Sequence, residues 1–206
     1  MSVSSGDEME VYRDADGWIR RVQAETTFGE AQPLVVKDRG GERCLYIGDL
    51  CQSKAVLKQG GGIKPEQPWD LVRIMTLWGA AWIQHRSGSR GGAAKAASVL
   101  IAGLGGGSLT RALTTVLPAI STLDSVEVDA AVAKAAIDWM GFVETDHSRL
   151  HVADGRVFIR EAADAGRRYD LLFLDMFTGK GIAKEAGHPL AINGILLRRL
   201  TCSDLF

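Results

Sequence analysis

The chain has 206 residues, the length of one ordinary domain or of a small domain joined to a larger one. Its 24 Lys and Arg nearly balance its 25 Asp and Glu, so the formal net charge of -1 argues against a protein built to neutralise nucleic-acid phosphates. The hydrophobic content of 46% is that of a globular chain able to bury a core, which excludes a disordered tail.

The cysteine pattern and the N-terminus indicate a compartment. Cys44, Cys51 and Cys202 form no C-x-x-C pair and are typical of free thiols under reducing conditions. The N-terminus is acidic and lacks the apolar stretch of a signal peptide, and no run of ~18 apolar residues could span a bilayer. We therefore expect a cytoplasmic chain whose partners include neither a membrane nor nucleic acid.

Residues 18–57 contain short runs of β-forming residues. Leu34–Lys37 and Arg43–Ile47 are separated by a Gly-Gly turn, which predicts a hairpin, and a further strand is expected at 18–22. We predict a small antiparallel β unit over 18–57.

Residues 58–98 are predicted to hold one helix and a linker. Leu71, Met75, Trp78 and Trp82 recur at helical spacing, which predicts a helix over 69–83 with this stripe in the core. The Gly-rich, polar stretch 87–98 is typical of a flexible connection.

From Val99 onward, strand patterns alternate with helix patterns. Such alternation is typical of a doubly wound α/β sheet, so we predict a Rossmann-like domain over 99–206. The predicted strands are 99–102, 122–128, 149–152 and 169–174, and the predicted helices are 109–117, 130–140 and 156–165.

Each predicted strand ends at a residue suited to binding. The glycine loop 103–107 follows the first strand, and Glu127, Asp154 and Asp175 follow or end the next three. Ligands of such sheets bind beside the carboxyl ends of the strands. A glycine loop allows close backbone approach, one acid can accept from ribose hydroxyls, and another can accept from an adenine amino group.

Two nucleotide classes fit this edge. A dinucleotide site normally uses the full G-x-G-x-x-G pattern, but Ser108 takes the place of its third glycine. Several acids also suit a positively charged sulfonium better than a diphosphate. An adenosyl-sulfonium ligand is therefore favoured over NAD, which stays open as the alternative.

The motifs resemble a known family. The segments 99–111, Val126–Asp129, Ala153–Arg156 and Tyr169–Asp175 are similar to those of the polyamine aminopropyltransferases (spermidine synthases) and of the spermidine-synthase-like methyltransferases. The strand 45–53, with its Gln near the end, is similar to a strand of the same family. The resemblance covers about residues 18–180 and implies an adenosylmethionine-type Rossmann-like fold.

The resemblance also implies roles for individual residues. Glu127 would hold the ribose, Asp154 the adenine, and Gln52 the ribose or the sulfonium side. Asp175 would help to deprotonate the attacking group. Cofactor-binding positions are also expected at Gly103, Gly105, Gly107 and Gly155. The implied cofactor is S-adenosylmethionine or its decarboxylated form.

Departures from the family pattern bear on the reaction. The resemblance implies acids that hold a polyamine, but Gly106 and Thr178 occupy two of those positions, and Leu71–Ile74 replaces a Tyr-His-Glu run. These losses favour a methyltransferase of unknown acceptor over an aminopropyltransferase. A non-catalytic relative that binds nucleoside, or forms a homodimer through its N-terminal strands, stays open. The four His are scattered, so we expect no metal site.

The C-terminal region predicts an incomplete sheet. After Asp175 the pattern predicts one helix, over about 189–200, and no strand. We therefore expect a truncated sheet in which the fourth strand is an exposed edge unless residues 178–206 cover it.

Overall fold

The computed structural model describes two five-stranded β-sheets, one two-stranded β-sheet and four helices. It describes residues 12–13, 19–27, 29–60, 62–64, 70–88, 96–117, 120–176, 193–196 and 200–201. Within this part of the chain, none of the helices combines the length and the apolar character that crossing a bilayer requires.

The first sheet is an antiparallel meander in which each strand pairs with the next in sequence. Its strands are β1 (Tyr12–Arg13), β2 (Ile19–Glu25), β3 (Pro33–Arg39), β4 (Glu42–Ile47) and β5 (Leu50–Val56). Gly40 and Gly41 form the β3–β4 turn with φ of 60° and 81°, a left-handed conformation that only glycine adopts without strain. The predicted hairpin is confirmed.

The second sheet has the strand order β11-β10-β6-β7-β8. Its strands β6, β7, β8 and β10 are parallel. The elements from the first helix onward are α1 (Asp70–Gly88), β6 (Ala97–Ala102), α2 (Ser108–Val116), β7 (Ile120–Glu127), α3 (Ala130–Asp138), β8 (Ser148–Val152), α4 (Gly155–Asp164), β9 (Arg168–Tyr169), β10 (Leu171–Asp175), β11 (Asn193–Leu196) and β12 (Leu200–Thr201). The predicted strand–helix alternation is confirmed.

Apolar side chains fill both faces of the second sheet, as expected for parallel strands. Val99, Ile101 and Phe173 belong to the cluster beneath α1 and α2. Leu100 and Leu172 point to the other face and pack with residues of α4. Alternate residues of one strand therefore serve two separate cores.

Helix α1 presents a different face to the core than its stripe predicts. Met75 is buried, but Leu71 and Trp78 are 46% and 59% exposed, so the predicted packing of these two side chains is wrong. The helix instead turns Gly79 towards Leu171 and Phe173, where an added Cβ would come within 3.0 Å of both side chains. The small residue lets the helix lie close to the sheet, and close approach outweighs the burial of bulkier side chains.

The C-terminal prediction of a helix over 189–200 is also wrong. Asn193–Leu196 forms β11, which pairs antiparallel with β10 and covers its free edge. Residues 200–201 form a further short pairing with β9. An apolar run of this length fits either a helix or a strand, and the unpaired backbone groups of β10 favour the strand.

The two sheets are joined through α3. Leu34, Val36 and Leu45 of the first sheet share an apolar cluster with Val132 and Ala135 of α3. Arg43, which is paired with Asp38, also donates from Nη1 to the carbonyl oxygen of Trp139 at 2.7 Å. The first sheet therefore packs against the second through a contact that is both apolar and hydrogen-bonded.

Asp129 is a polar link in the same contact. Its side chain caps α3 by accepting from the amides of Ala131 and Val132. It also accepts from the Thr27 amide at 2.6 Å and from the Thr27 hydroxyl at 3.1 Å. One buried carboxylate therefore fixes the helix start to the end of β2.

Replacing this carboxylate tests the link. We expect Asp129→Ala to lower the free energy of unfolding by about 2–4 kcal/mol, because it removes an N-cap and leaves buried donors unpaired. The measurement is urea denaturation followed by circular dichroism. Asp138→Ala is the matched control, since Asp138 forms only an exposed ion pair with Lys134, and its loss should cost under ~0.5 kcal/mol. Equal losses in the two variants would contradict the assigned role.

Candidate functional site

The glycine loop between β6 and α2 is shaped by close backbone contacts. Gly103 has φ of 98°, and a Cβ there would collide with the carbonyl oxygen of Asp175. Gly105 has φ of 53°, and a Cβ there would meet only the carbonyl oxygen of Gln52, at 4.0 Å. The loop is thus tight on the side of β10 and less crowded at Gly105, where a Cβ would make only an ordinary contact and the backbone is within reach of a ligand.

Glu127 holds this loop in place. Its Oε2 accepts from the Gly105 amide at 3.0 Å, and its Oε1 accepts from the Asp129 amide at 3.1 Å. Burial raises the pKa of Glu127, while the backbone hydrogen bonds oppose the rise. Each carboxylate oxygen keeps a second lone pair, so the side chain can hold the loop and still accept from a ligand hydroxyl.

Asp154 lies in a more polar setting. It caps α4 by accepting from the Arg156 amide at 2.8 Å, and its two oxygens also accept from the Arg156 guanidinium. The hydrogen bonds from the Arg156 side chain lower the pKa of Asp154. A ligand amino group must therefore share this carboxylate with Arg156, a partner that the sequence pattern alone does not indicate.

Asp175, at the end of β10, has the opposite environment. Burial raises the pKa of its carboxyl group, and no donor among the described residues hydrogen-bonds to it. Its backbone lies against Gly103, and the next residue, Met176, lies against Gly155, where a Cβ would come within 2.8 Å of Sδ. Asp175 is thus a partly shielded carboxyl group that has no compensating partner in the part of the chain that the structure describes.

The first sheet forms a wall of the site. Ser53 of β5 shares a 2.9 Å hydrogen bond with Ser108 at the start of α2, and the Ser108 hydroxyl donates to the carbonyl oxygen of Lys54 at 3.1 Å. A Cβ at Gly106 would come within 2.6 Å of the Ser53 hydroxyl, so no side chain fits there without a shift. Gln52, the neighbour of Ser53, is thereby placed beside the loop.

The predicted site residues fall into two groups. The first group lies along the carboxyl edge of the second sheet, at the ends of its parallel strands and in the glycine loop, with Gln52 of β5 beside it. Its members are Gln52, Gly103, Gly105, Glu127, Asp154, Gly155 and Asp175. Gly107 lies behind the loop instead, where a Cβ would come within 3.0 Å of Phe142 and 3.4 Å of the Arg111 guanidinium.

The edge fits an adenosyl ligand by its donors and acceptors. It offers an open glycine backbone at Gly105, a buried acid at Glu127 and a half-buried acid at Asp154. Among the described residues, no three His, Cys, Asp or Glu side chains are placed to hold a metal ion. The arrangement combines a glycine backbone with two acids that can accept hydrogen bonds, Glu127 and Asp154, and one further acid, Asp175.

Comparison with curated proteins identifies two kinds of relative. The chain is 40% identical over 87 residues to a polyamine aminopropyltransferase of Vibrio vulnificus, which covers 42% of this chain and 29% of that protein. It is 32% identical over 124 residues to the eEF1A lysine and N-terminal methyltransferase of Xenopus laevis, which covers 52% of this chain and 18% of that protein. The chain thus spans less than a third of these relatives. No family model matches.

Comparison with solved structures identifies the fold. A probable spermidine synthase of Corynebacterium glutamicum gives a TM-score of 0.56 at 18% identity, covering 76% of this chain and 52% of that one. The spermidine synthase of Thermotoga maritima gives 0.53 at 13% identity, covering 81% and 56%. The Rossmann-like methyltransferase fold and the resemblance to spermidine-synthase-like proteins are therefore confirmed.

The half-buried carboxyl group of Asp175 predicts a pH-dependent stability. Its pKa is raised above the ordinary 3.8, so its contribution to stability is present below that pH and is lost as the pH rises through the raised pKa. Asn carries no charge, so we expect Asp175→Asn to have a higher Tm than the wild type at pH 7.5. Each ~1 kcal/mol gained in the free energy of unfolding corresponds to an increase in Tm of about 2–4 °C. Below pH ~4 the two proteins should have the same Tm.

Differential scanning calorimetry across this pH range measures the effect. Asp164→Asn, at an exposed position in α4, is the control and should leave Tm unchanged at every pH. If the Tm difference between Asp175→Asn and the wild type does not grow with pH, ionisation of the Asp175 carboxyl group does not lower the stability of the fold.

Proposed function

We propose that the chain binds S-adenosylmethionine at the carboxyl edge of the second sheet and belongs to a spermidine-synthase-like methyltransferase. The observation that carries the proposal is the hydrogen bond from the Gly105 amide to Glu127 at 3.0 Å. It holds Glu127, the acid proposed to bind the ribose, beside the glycine loop, in a fold shared with solved spermidine synthases.

The rest of the edge supports an adenosyl sulfonium. Glu127 accepts from the ribose hydroxyls with its free lone pairs, and Asp154 accepts from the adenine amino group. Gln52 lies opposite Gly105 and borders the ribose or sulfonium side. The bound cofactor supplies a methyl carbon activated by its sulfonium, and the protein's task is to align the acceptor with that carbon.

Asp175 is the residue proposed to accept the proton of the incoming nucleophile. Its raised pKa brings the carboxylate closer to the basicity that a general base needs near neutral pH. Its backbone contact with Gly103 keeps it at the loop that would hold the sulfonium.

Aminopropyl transfer is the second candidate, favoured by the 40% identity to a polyamine aminopropyltransferase. Decarboxylated S-adenosylmethionine would then replace the methyl donor. The losses at Gly106 and Thr178 oppose this candidate, because a polyamine needs carboxylates at both of its ends. A third candidate is a nucleoside-binding relative without catalysis, in which case Asp175 would have no acceptor to deprotonate.

A cytoplasmic location is proposed from the state of the cysteines. Cys44 and Cys51 carry free thiols, which fits the reducing conditions of the cytoplasm. A homodimer through the N-terminal strands stays a prediction.

Isothermal titration calorimetry of the wild-type chain with S-adenosylmethionine, its decarboxylated form and methylthioadenosine tests binding. We expect Asp154→Ser to weaken methylthioadenosine about tenfold or more, because a charge-assisted hydrogen bond of roughly 1.5–3 kcal/mol is lost while Ser still caps α4. We expect Glu127→Gln to weaken methylthioadenosine more than free adenine.

The control for these titrations is Asp164→Ser, at the exposed end of α4, which should bind like the wild type. Failure of the wild-type chain to bind any of the three nucleosides would overturn the proposal. Equal losses for nucleoside and base in Glu127→Gln would place the ribose elsewhere.

The count of acids predicts which amine the chain does not use. Putrescine is a dication, and two of the carboxylates that the family resemblance assigns to it are absent at Gly106 and Thr178. At roughly 1.5–3 kcal/mol each, these losses should weaken putrescine binding by orders of magnitude. We expect no appreciable spermidine from decarboxylated S-adenosylmethionine and putrescine, measured beside an authentic spermidine synthase. Formation at a comparable rate would instead select the second candidate.

A further inference from the structure

A cavity of about 370 Å³ lies between α2 and the segment 141–148 that joins α3 to β8. Its lining reaches Ile120 and Ser148, the first residues of β7 and β8. It therefore opens towards the amino edge of the second sheet, whereas Glu127 and Asp175 lie at the carboxyl edge. The cavity is a separate place from the proposed nucleoside site.

Arg111 is the one Lys or Arg that lines this cavity. Its Nη1 donates to the carbonyl oxygen of Gly106 at 2.6 Å and its Nη2 donates to the Ser108 hydroxyl at 3.0 Å. Its Nε is buried and has no hydrogen-bond partner, and no acid among the described residues forms an ion pair with it. Burial lowers the pKa of Arg111 to about 10, so the side chain still carries its charge at neutral pH.

A second unpaired group lies in the same wall. Ser148 is 2% exposed, and its hydroxyl has no hydrogen-bond partner among the residues that the structure describes. The Ser148 amide donates to the Thr145 hydroxyl at 3.0 Å, so only the side-chain hydroxyl of Ser148 lacks a hydrogen bond. A buried hydroxyl and a buried cationic N–H, both unpaired, are each costly and rarely occur together without a use.

The remaining lining sets the size and polarity of a ligand. Leu117, Phe142 and Val143 give the cavity an apolar surface. The Thr114 and Thr115 hydroxyls already donate to backbone carbonyl oxygens of α2, so they offer acceptor oxygens only. Arg111 is the one Lys or Arg in the lining, and its single positive charge balances a carboxylate but not a phosphate, which carries more than one negative charge near pH 7.

We propose that this cavity is a second binding site, for a small monocarboxylate with an apolar chain, whose head group pairs with Arg111 and Ser148. The apolar chain lies against Leu117, Phe142 and Val143. Nε of Arg111 and the Ser148 hydroxyl are closed to water, so both side chains must turn towards the cavity before the head group can reach them. That adjustment gives both buried groups the partner they lack.

The test is a titration of the isotope-labelled full chain with sodium hexanoate, followed by the amide resonances of Thr114, Thr145 and Ser148. We expect saturable shifts of these three resonances. 1-Hexanol, with the same chain and no charge, should bind at least tenfold more weakly, and inorganic phosphate should not saturate the shifts. No saturable shift with hexanoate, equal binding of hexanol, or binding of phosphate alone would each overturn the proposal.

Two variants and one control make the assignment specific. Arg111→Met should weaken hexanoate at least tenfold, while Arg149→Met, which removes an exposed arginine beside Ser148, should leave its affinity unchanged. Since Arg111 also contacts the glycine loop, Thr115→Trp provides a second variant that fills the cavity and keeps the guanidinium. Hexanoate binding should be lost there as well. Binding that survives both variants would place hexanoate elsewhere and reject the site.

Discussion

The hydrogen bonds of Glu127 are the constraint on which the candidate site depends. A carboxylate buried at this strand end is costly unless its oxygens are paired, and the amides of Gly105 and Asp129 pair them. The same two bonds fix the glycine loop to the end of β7. Asp129 extends these contacts to the first sheet, because its side chain caps α3 and accepts a hydrogen bond from Thr27, which follows β2. One line of contacts thus runs from the loop to the N-terminal strands.

The first sheet is consequently part of the site as well as a neighbour of it. The Ser53–Ser108 hydrogen bond places β5 against the start of α2, and the close approach at Gly106 leaves no room for a side chain there. This packing gives the absence of an acid at that position a physical reason: a carboxylate on this backbone would displace Ser53. The departure from the family pattern and the contact between the sheets are therefore one feature.

The sequence predicted those parts of the fold that depend on residues close together in the chain. Alternating strands and helices, the Gly40–Gly41 turn and the acids at the strand ends follow from spacing within a few residues. The exposed Leu71 and Trp78 did not follow, because α1 is apolar on several faces and only the approach of Gly79 to Phe173 selects one. Strand β11 and the buried, unpaired Nε of Arg111 depend on contacts between residues that are distant in sequence. The spacing of residues along the chain therefore does not predict them.

The three acids of the carboxyl edge differ in what surrounds them, and the difference divides their work. Asp154 has Arg156 as a partner and a lowered pKa, so it stays ionised and can only accept hydrogen bonds. Glu127 is paired with two amides, so a change in its charge would release the loop. Among the described residues, Asp175 has neither a cation nor an amide as a partner, and burial raises its pKa. Within that part of the chain it can gain and lose a proton without disturbing another contact, which is the property that its proposed role in proton transfer requires.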